Sequence, residues 1–284
     1  MASLECSVAS LEVGESLAGT AVESVDRWLL LEVTDPWAPK ALETGALSEP
    51  VRARIGQWLE RPRSRLQLIR RPGRTGKRPV LILVSSGGEK QQSSTIELER
   101  YADLLDVDLD ALPAETAQPM CLVCVHGRRD RCCALHGSAV FRAIQALDVD
   151  VWQTSHLGGH RFAACALWLP DGLMYGRLRP EDANRFVAAR RAGEIGELQW
   201  FRGRCAYDQP TQAAEIFLRT GLGERNEGAI DWLSTVPQSE SAWDVRFRSP
   251  SGEHLVRVRL EDAGAFRPAS CGAEPESVAR FVEI

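Results

Sequence analysis

The sequence predicts an α/β fold followed by a smaller α+β region. Short apolar segments with strand character alternate along the chain with segments in which apolar residues recur at helical spacing. With 284 residues, 44% of them hydrophobic, the chain can fill cores of ordinary size. Prolines and acidic residues between positions 106 and 119 indicate a linker. We therefore predict three domains, at residues 1–112, 113–198 and 199–284.

The first domain contains three predicted strands and two predicted helices. Apolar runs and alternation predict the strands, an apolar face predicts one helix, and a capping-box pattern of Ser94 and Glu97 predicts the other. In chain order these elements are Trp28 to Val33 (strand), Pro50 to Leu59 (helix), Ser64 to Arg70 (strand), Pro79 to Val84 (strand) and Ser94 to Leu105 (helix). The order βαββα is that of a thioredoxin-like unit.

The second domain repeats a strand, helix, strand pattern and continues into a hairpin. Its turn has the sequence Leu-Pro-Asp-Gly, a specific turn signal. The elements are Met120 to Val125 (strand), Cys133 to Leu147 (helix), Val149 to Gln153 (strand), Ala163 to Arg177 (hairpin) and Pro180 to Ala192 (helix). We therefore predict two thioredoxin-like units in tandem. In the third domain we expect a helix from Thr211 to Arg219, a β pair from Ala242 to Leu260, and a helix or strand near Glu276.

Cysteine and histidine are concentrated in the segment from Cys121 to His160. It holds four of the eight cysteines and four of the five histidines. In the predicted fold Cys124 ends one strand, Cys133 begins the following helix, and two histidines lie in the loop after the next strand. The ends of neighbouring parallel strands open on the same edge of a sheet. Two thiols and two imidazoles can therefore meet there.

Such a donor set fits two kinds of centre. A thiolate pair and an imidazole pair complete a tetrahedral zinc site, or they hold a two-iron cluster with sulfurs on one iron and nitrogens on the other, as in Rieske centres. The cysteines bracket eight residues, whereas structural zinc sites usually take cysteines two to four residues apart. Gly158 and Gly159 allow close backbone approach and can direct N–H groups at a cluster.

The motifs in this segment resemble those of the sucrase/ferredoxin-like family, relatives of the thioredoxin-like ferredoxins. The first is Cys-x-His-x-x-Arg-Asp-x-x-Cys from Cys124 to Cys133, and the second is His-x-Gly-Gly-His-Arg-Phe-Ala from His156 to Ala163. The resemblance implies a thioredoxin-like ferredoxin fold and a [2Fe-2S] cluster with the ligands Cys124, Cys133, His156 and His160. Cys132 adjoins Cys133, and only the spacing of the family motif selects Cys133.

Several other residues have a structural interpretation and a functional one. Supporting roles around the ligands are assigned to Arg129, Asp130, Gly158, Gly159 and Arg161, and His126 is divided evenly between the two interpretations. The pair Cys121 and Cys124 has thioredoxin-motif spacing, but it lies within an apolar strand, so the two side chains should point in different directions. The remaining cysteines are isolated in sequence, and packing is the default for them: Cys6, Cys165, Cys205 and Cys271.

These residues predict an electron-transfer protein with two-cysteine, two-histidine ligation, rather than an enzyme. The alternative from another class is a structural zinc-binding adaptor with the same four ligands; a thiol-disulfide redox enzyme is disfavoured. The expected partner is a redox protein, and a homodimer is left open. The net charge of −5 argues against nucleic acid. We expect a cytoplasmic protein, because neither a leader peptide nor a run of eighteen apolar residues is visible.

Overall fold

The computed structural model describes residues 5–74, 76–86 and 91–284. The helices in these ranges are α1 (Cys6–Glu12), α2 (Glu49–Leu59), α3 (Arg131–Gln145), α4 (Ala183–Arg191) and α5 (Gln209–Leu222). The strands are β1 (Arg27–Glu32), β2 (Ser64–Arg70), β3 (Val80–Ser85), β4 (Gln92–Glu97), β5 (Glu115–Thr116), β6 (Met120–Cys124), β7 (Val151–Thr154), β8 (Ala166–Leu169), β9 (Leu173–Tyr175), β10 (Phe201–Arg204), β11 (Asp231–Ser239), β12 (Ala242–Ser249), β13 (Gly252–Pro268) and β14 (Pro275–Glu283). The predicted α/β fold class is confirmed.

A ten-stranded mixed sheet forms the centre of the molecule. Its strand order is β10-β9-β8-β6-β7-β2-β1-β3-β4-β5. The pairs β1/β2 and β6/β7 are parallel, and the other pairs are antiparallel. Each parallel pair is connected by a helix, as such pairs require, because a tight hairpin cannot join them.

The strand order is the same in the two halves of this sheet. From the middle outwards, one half runs β2-β1-β3-β4-β5 and the other runs β7-β6-β8-β9-β10. An antiparallel contact between β2 and β7 joins them, with Ile69 opposite Thr154. This repeat is the arrangement that the tandem prediction requires, while the predicted domain boundaries stay a prediction.

Successive side chains of the central strands point to opposite faces of the sheet, so the core is divided between the two faces. On β1, Leu29 and Leu31 belong to one apolar cluster, whereas Trp28 and Leu30 belong to another. Helices α2, α3 and α4 contribute to the first cluster, which includes Val51, Val140 and Phe186. The second cluster is covered by the segment from Leu17 to Val25. Both faces are thus buried, which accounts for the nearly continuous apolar strands.

The C-terminal region is a four-stranded antiparallel sheet, β11-β12-β13-β14, packed against α5. The predicted helix, the β pair and the strand near Glu276 are present. Strand β11 was not predicted, because most of its residues are exposed and no buried face marks it in the sequence. The long strand β13 also contacts α1, so the C-terminal sheet packs against the first helix of the chain.

The predicted helix from Ser94 to Leu105 is wrong. Its first part is strand β4, which pairs along its whole length with β3 and places Ser94 opposite Leu83. Only Tyr101–Leu105 is helical, as a short 3₁₀ turn. The Ser-x-x-Glu pattern is a local signal, and the hydrogen bonds of the hairpin with a buried neighbouring strand outweigh it.

Within the ranges that the structure covers, no helix combines the length and the hydrophobicity needed to cross a lipid bilayer.

Candidate metal centre

Two thiols and one imidazole meet at the edge of the central sheet. Strands β6 and β7 end side by side, with Cys124 opposite Thr154. Cys133 lies in the first turn of α3, and His156 lies two residues beyond β7. One donor atom from each of Cys124, Cys133 and His156 lies within 4.8 Å of the other two, and the Cys133 Sγ to His156 Nδ1 distance is 3.7 Å. The predicted convergence is present for these three residues.

Helix α3 approaches β6 closely because Gly137 faces the strand. A Cβ atom at this position would lie 1.9 Å from the carbonyl oxygen of Cys124. Any side chain here would push the helix away and separate the two thiols. The start of the helix is fixed by Asp130, whose Oδ1 accepts the Cys132 N–H at 2.8 Å. Such caps stabilise a helix by about 1 kcal/mol.

His160, the fourth candidate ligand, contacts the C-terminal region of the chain. Its ring lies 5.0 Å from that of His156, centroid to centroid, with a tilt of 32°. The Nε2 atom lies 2.6 Å from the carbonyl oxygen of Ala269, which requires the proton to be on this nitrogen. The Nδ1 atom is buried and has no hydrogen-bond partner among the described residues. It therefore keeps a free lone pair, as a metal ligand does.

His126 supports the loop that carries the histidine ligands. Its Nδ1 accepts the backbone N–H of His156 at 3.2 Å, and its Nε2 donates to the carbonyl oxygen of Ala38 at 2.9 Å. The residue is buried, and the Trp37 ring meets it edge to face. Burial lowers the pKa of His126, which favours the neutral ring that both bonds require. The structure thus gives this residue a positioning contact.

The two glycines of the loop have left-handed backbone conformations. Their φ angles are 101° at Gly158 and 68° at Gly159. A Cβ atom on Gly159 would lie 2.5 Å from Nη2 of Arg202. The same guanidinium donates from Nη1 to the carbonyl oxygen of Gly158 at 2.9 Å. The loop therefore needs glycine for its turn. Arg202, which the sequence analysis did not identify, stabilises the loop through this hydrogen bond.

The charged residues next to the motif occupy different environments. Arg129 is exposed. Burial lowers the pKa of His160, and the charge of Arg129 adds to this while Asp130 opposes it. Arg161 donates to Glu15 at 2.7 Å, so its charge is paired away from the ligands. The assignment of these residues to supporting roles stays a prediction.

The thiols of Cys124 and Cys133 shift each other's pKa in opposite directions. The hydrogen bond from Cys133 lowers the pKa of Cys124 more than burial raises it, and His156 adds to the lowering. The pKa of Cys133 is raised, because it keeps the proton of that bond and is buried. The lowered pKa of Cys124 favours its thiolate, and a bound cation would favour loss of the Cys133 proton.

Cys121 is separate from this site. It belongs to the apolar cluster on one face of the sheet, whereas Cys124 belongs to the cluster on the other. Burial raises the pKa of Cys121 far above its ordinary value. Alternation along the strand puts the two side chains on opposite faces, as predicted, and they cannot act together as a thioredoxin-style pair.

A second group of donors lies beside the first, and no pattern in the sequence indicates it. Cys6, Cys132, Cys271 and Asp130 each place a donor atom within 4.8 Å of the others. Cys6 and Cys271 were assigned to packing because both are isolated in sequence. They come from α1 and from the loop between β13 and β14, so only the tertiary structure brings them to Cys132.

Comparison with solved structures finds thioredoxin-like [2Fe-2S] ferredoxins from Aquifex aeolicus. A cysteine-to-serine variant has 19% identity and a TM-score of 0.27, and the match covers 31% of this chain and 100% of the ferredoxin. The wild-type protein has 19% identity and a TM-score of 0.27, with coverage of 30% and 97%. No curated protein sequence matches the chain.

The family comparison covers much more of the chain. The Sucrase/ferredoxin-like family matches residues 17–203, which include nearly all of the ten-stranded sheet and all four candidate ligands. Because this match spans more than half of the sequence, the chain belongs to the sucrase/ferredoxin-like family.

Proposed function

We propose that the protein binds a [2Fe-2S] cluster through Cys124, Cys133, His156 and His160 and transfers single electrons. The observation that carries the proposal is the meeting of two buried thiols and the His156 imidazole at one edge of the sheet. The His160 ring lies 5.0 Å from that of His156, and its Nδ1 is buried without a partner among the described residues. An unpaired buried nitrogen costs about 1 to 3 kcal/mol, which coordination of a metal would recover.

The spread of the donors supports a centre larger than one ion. In a tetrahedral zinc site with sulfur and nitrogen ligands, donor atoms lie about 3.5 to 3.8 Å apart. Cys124, Cys133 and His156 approach this spacing, but His160 lies outside their 4.8 Å group. A two-iron cluster takes the sulfurs on one iron and the nitrogens on the other, so its ligands are more widely spaced.

The two sides of the site have different tasks in this proposal. Cys124 and Cys133 are buried, whereas both histidines are half-buried, so an electron partner approaches from the histidine side. His156 directs Nδ1 at the thiols, which leaves its Nε2 as the nitrogen that can release a proton. His160 holds its proton on Nε2 against Ala269. The cluster itself supplies a one-electron couple with no open position for a substrate.

Anaerobic purification followed by iron and sulfide analysis and electron paramagnetic resonance of the reduced form tests the proposal. We expect red-brown protein with two irons and two sulfides per chain. The Cys124→Ser and His160→Ala variants should lose most of this iron, and a Cys121→Ser control should keep it. Colourless protein without iron under these conditions would refute the proposal.

The second candidate is a zinc-binding adaptor, in which the same centre only holds the loops together. The 3.7 Å distance between Cys133 Sγ and His156 Nδ1 suits two ligands of one ion and favours this reading. The two candidates differ in colour. One zinc bound at these residues, without visible absorption, would support the adaptor.

A further inference from the structure

We propose that Cys6, Cys132, Cys271 and Asp130 hold a single zinc ion in a second site, next to the first centre but with its own ligands. Its ligands are separate from Cys124, Cys133, His156 and His160, and the iron readout of its test rests on the cluster proposed there.

The distances between the three sulfurs are near those of ligands on one tetrahedral ion. Cys132 Sγ lies 3.6 Å from Cys6 Sγ and 3.3 Å from Cys271 Sγ, and the remaining pair is 3.8 Å apart. With zinc–sulfur bonds of about 2.3 Å, tetrahedral geometry requires about 3.8 Å between sulfurs. A disulfide would need about 2.0 Å and would use only two of the three.

Asp130 supplies the fourth ligand. Its Oδ1 lies 3.3 Å from Cys271 Sγ and 3.7 Å from Cys6 Sγ, close to the roughly 3.6 Å expected between sulfur and oxygen on one zinc ion. The carboxylate accepts the backbone N–H groups of Cys132 and Cys271, both at 2.8 Å. Its two oxygens offer about four acceptor sites, so the carboxylate can accept both hydrogen bonds and still bind a metal ion.

The chemical type of the donor atoms indicates which metal this site would bind. Three thiolates exclude magnesium and calcium, which prefer oxygen, and tetrahedral sulfur sites are typical of zinc. The group is buried apart from the half-buried Cys271. It lies at the N-terminus of the fifteen-residue helix α3, where the partial positive charge of the helix end stabilises thiolates. Ser7 Oγ also donates to Cys132 Sγ, at 3.3 Å.

The ion would join three distant parts of the chain. Cys6 is in α1, Cys132 opens α3, and Cys271 lies between β13 and β14. The loop between β13 and β14 also contains Ala269, whose carbonyl oxygen accepts a hydrogen bond from His160 Nε2 at 2.6 Å. Zinc at this site would therefore fix the ring of a candidate ligand of the first centre, and it would close a chain loop of more than 260 residues.

Separate measurements of zinc and iron content in the intact protein test the proposal. From medium containing zinc we expect one zinc per chain in the wild type. Cys6→Ser and Cys271→Ser should lose it and keep at least half of the wild-type iron. Cys205→Ser, which removes an equally buried thiol elsewhere, is the control and should keep both metals. Loss of zinc in Cys124→Ser but not in Cys6→Ser would place the zinc at the first centre and overturn the proposal.

X-ray absorption at the zinc edge of the wild-type protein covers the case in which a variant does not fold. We expect three sulfurs at about 2.3 Å and one oxygen at about 2.0 Å. A shell of two sulfurs and two nitrogens, zinc-free protein, or a disulfide among these cysteines in freshly purified reduced protein would each overturn the second site.

Discussion

Cys132 and Cys133 are consecutive in the chain, yet their thiols lie in two different groups of donors. Cys133 Sγ is 3.7 Å from His156 Nδ1, whereas Cys132 Sγ is 3.3 Å from Cys271 Sγ. In an α-helix, successive side chains are rotated by about 100°, so the first turn of α3 presents one thiol to each group. We therefore expect that the two cysteines are not interchangeable.

We predict that serine at these two positions has opposite effects on metal content. Cys133→Ser should lose at least about nine-tenths of the bound iron, because one of two thiolate ligands is gone. Cys132→Ser should keep most of the iron and lose zinc. Elemental analysis and the visible spectrum measure both. Equal loss of iron in the two variants would show that the division of the thiols is wrong.

Replacing a histidine ligand by cysteine should lower the reduction potential. Thiolate adds negative charge to the iron, and all-cysteine clusters lie below two-histidine ones by on the order of 100 mV or more. We expect His156→Cys and His160→Cys to keep a cluster with a more negative midpoint in an anaerobic redox titration. His254→Cys, in the distant hairpin of β12 and β13, is the control and should leave the potential unchanged.

The potential should also depend on pH in the alkaline range. An imidazole bound to oxidised iron loses its second proton more easily, so oxidation is favoured and the potential falls as pH rises. A one-electron, one-proton couple falls by about 59 mV per pH unit. A titration between about pH 6 and pH 10 measures the slope. A flat profile would argue against histidine on the iron.

His126→Phe should weaken the histidine loop while leaving all four candidate ligands in place. The substitution leaves the His156 N–H and the Ala38 carbonyl without their partner. Each unpaired buried group costs about 1 to 3 kcal/mol. We expect a lower denaturation midpoint and faster iron loss to a chelator, with His254→Phe as the matched control. Unchanged rates would show that the contact does not hold the loop.

The buried carboxylate of Glu15 should make stability depend on pH. Burial raises the pKa of Glu15, but hydrogen bonds from Arg267 and the charge of Arg161 outweigh it, so the pKa is below its ordinary 4.5. A lowered folded pKa gives stabilisation that is present above the unfolded value and is lost as pH falls through the folded one. Glu15→Gln should cost about 3 kcal/mol of unfolding free energy at pH 7.

Chemical denaturation at several pH values checks this. The difference between wild type and Glu15→Gln should shrink as pH falls below about 4.5, because the carboxyl of the unfolded chain is protonated first and that of the folded protein at a lower pH. Glu12→Gln, an exposed neighbour at the end of α1, should change stability by less than about 0.5 kcal/mol at any pH. A difference that stays constant down to pH 3 would contradict the ion-pair explanation.

The sequence alone determined the order of most elements and the first donor group. Cys124, Cys133 and His156 lie within one β-α-β unit, and the ends of its parallel strands must share an edge. A local pattern therefore fixes their meeting. The segment from Ser94 to Leu105 shows the limit of such patterns, because its local signal favoured a helix and pairing with β3 made its first part a strand.

Only the tertiary structure decided the second donor group and the surroundings of His160. Cys6 and Cys271 are separated by 265 positions, and no spacing rule connects residues so far apart. They meet because β13 packs against α1, which brings Cys6 and the β13–β14 loop to the start of α3. Packing between elements that are distant in sequence depends on the whole fold, and for that reason the sequence showed these cysteines as isolated.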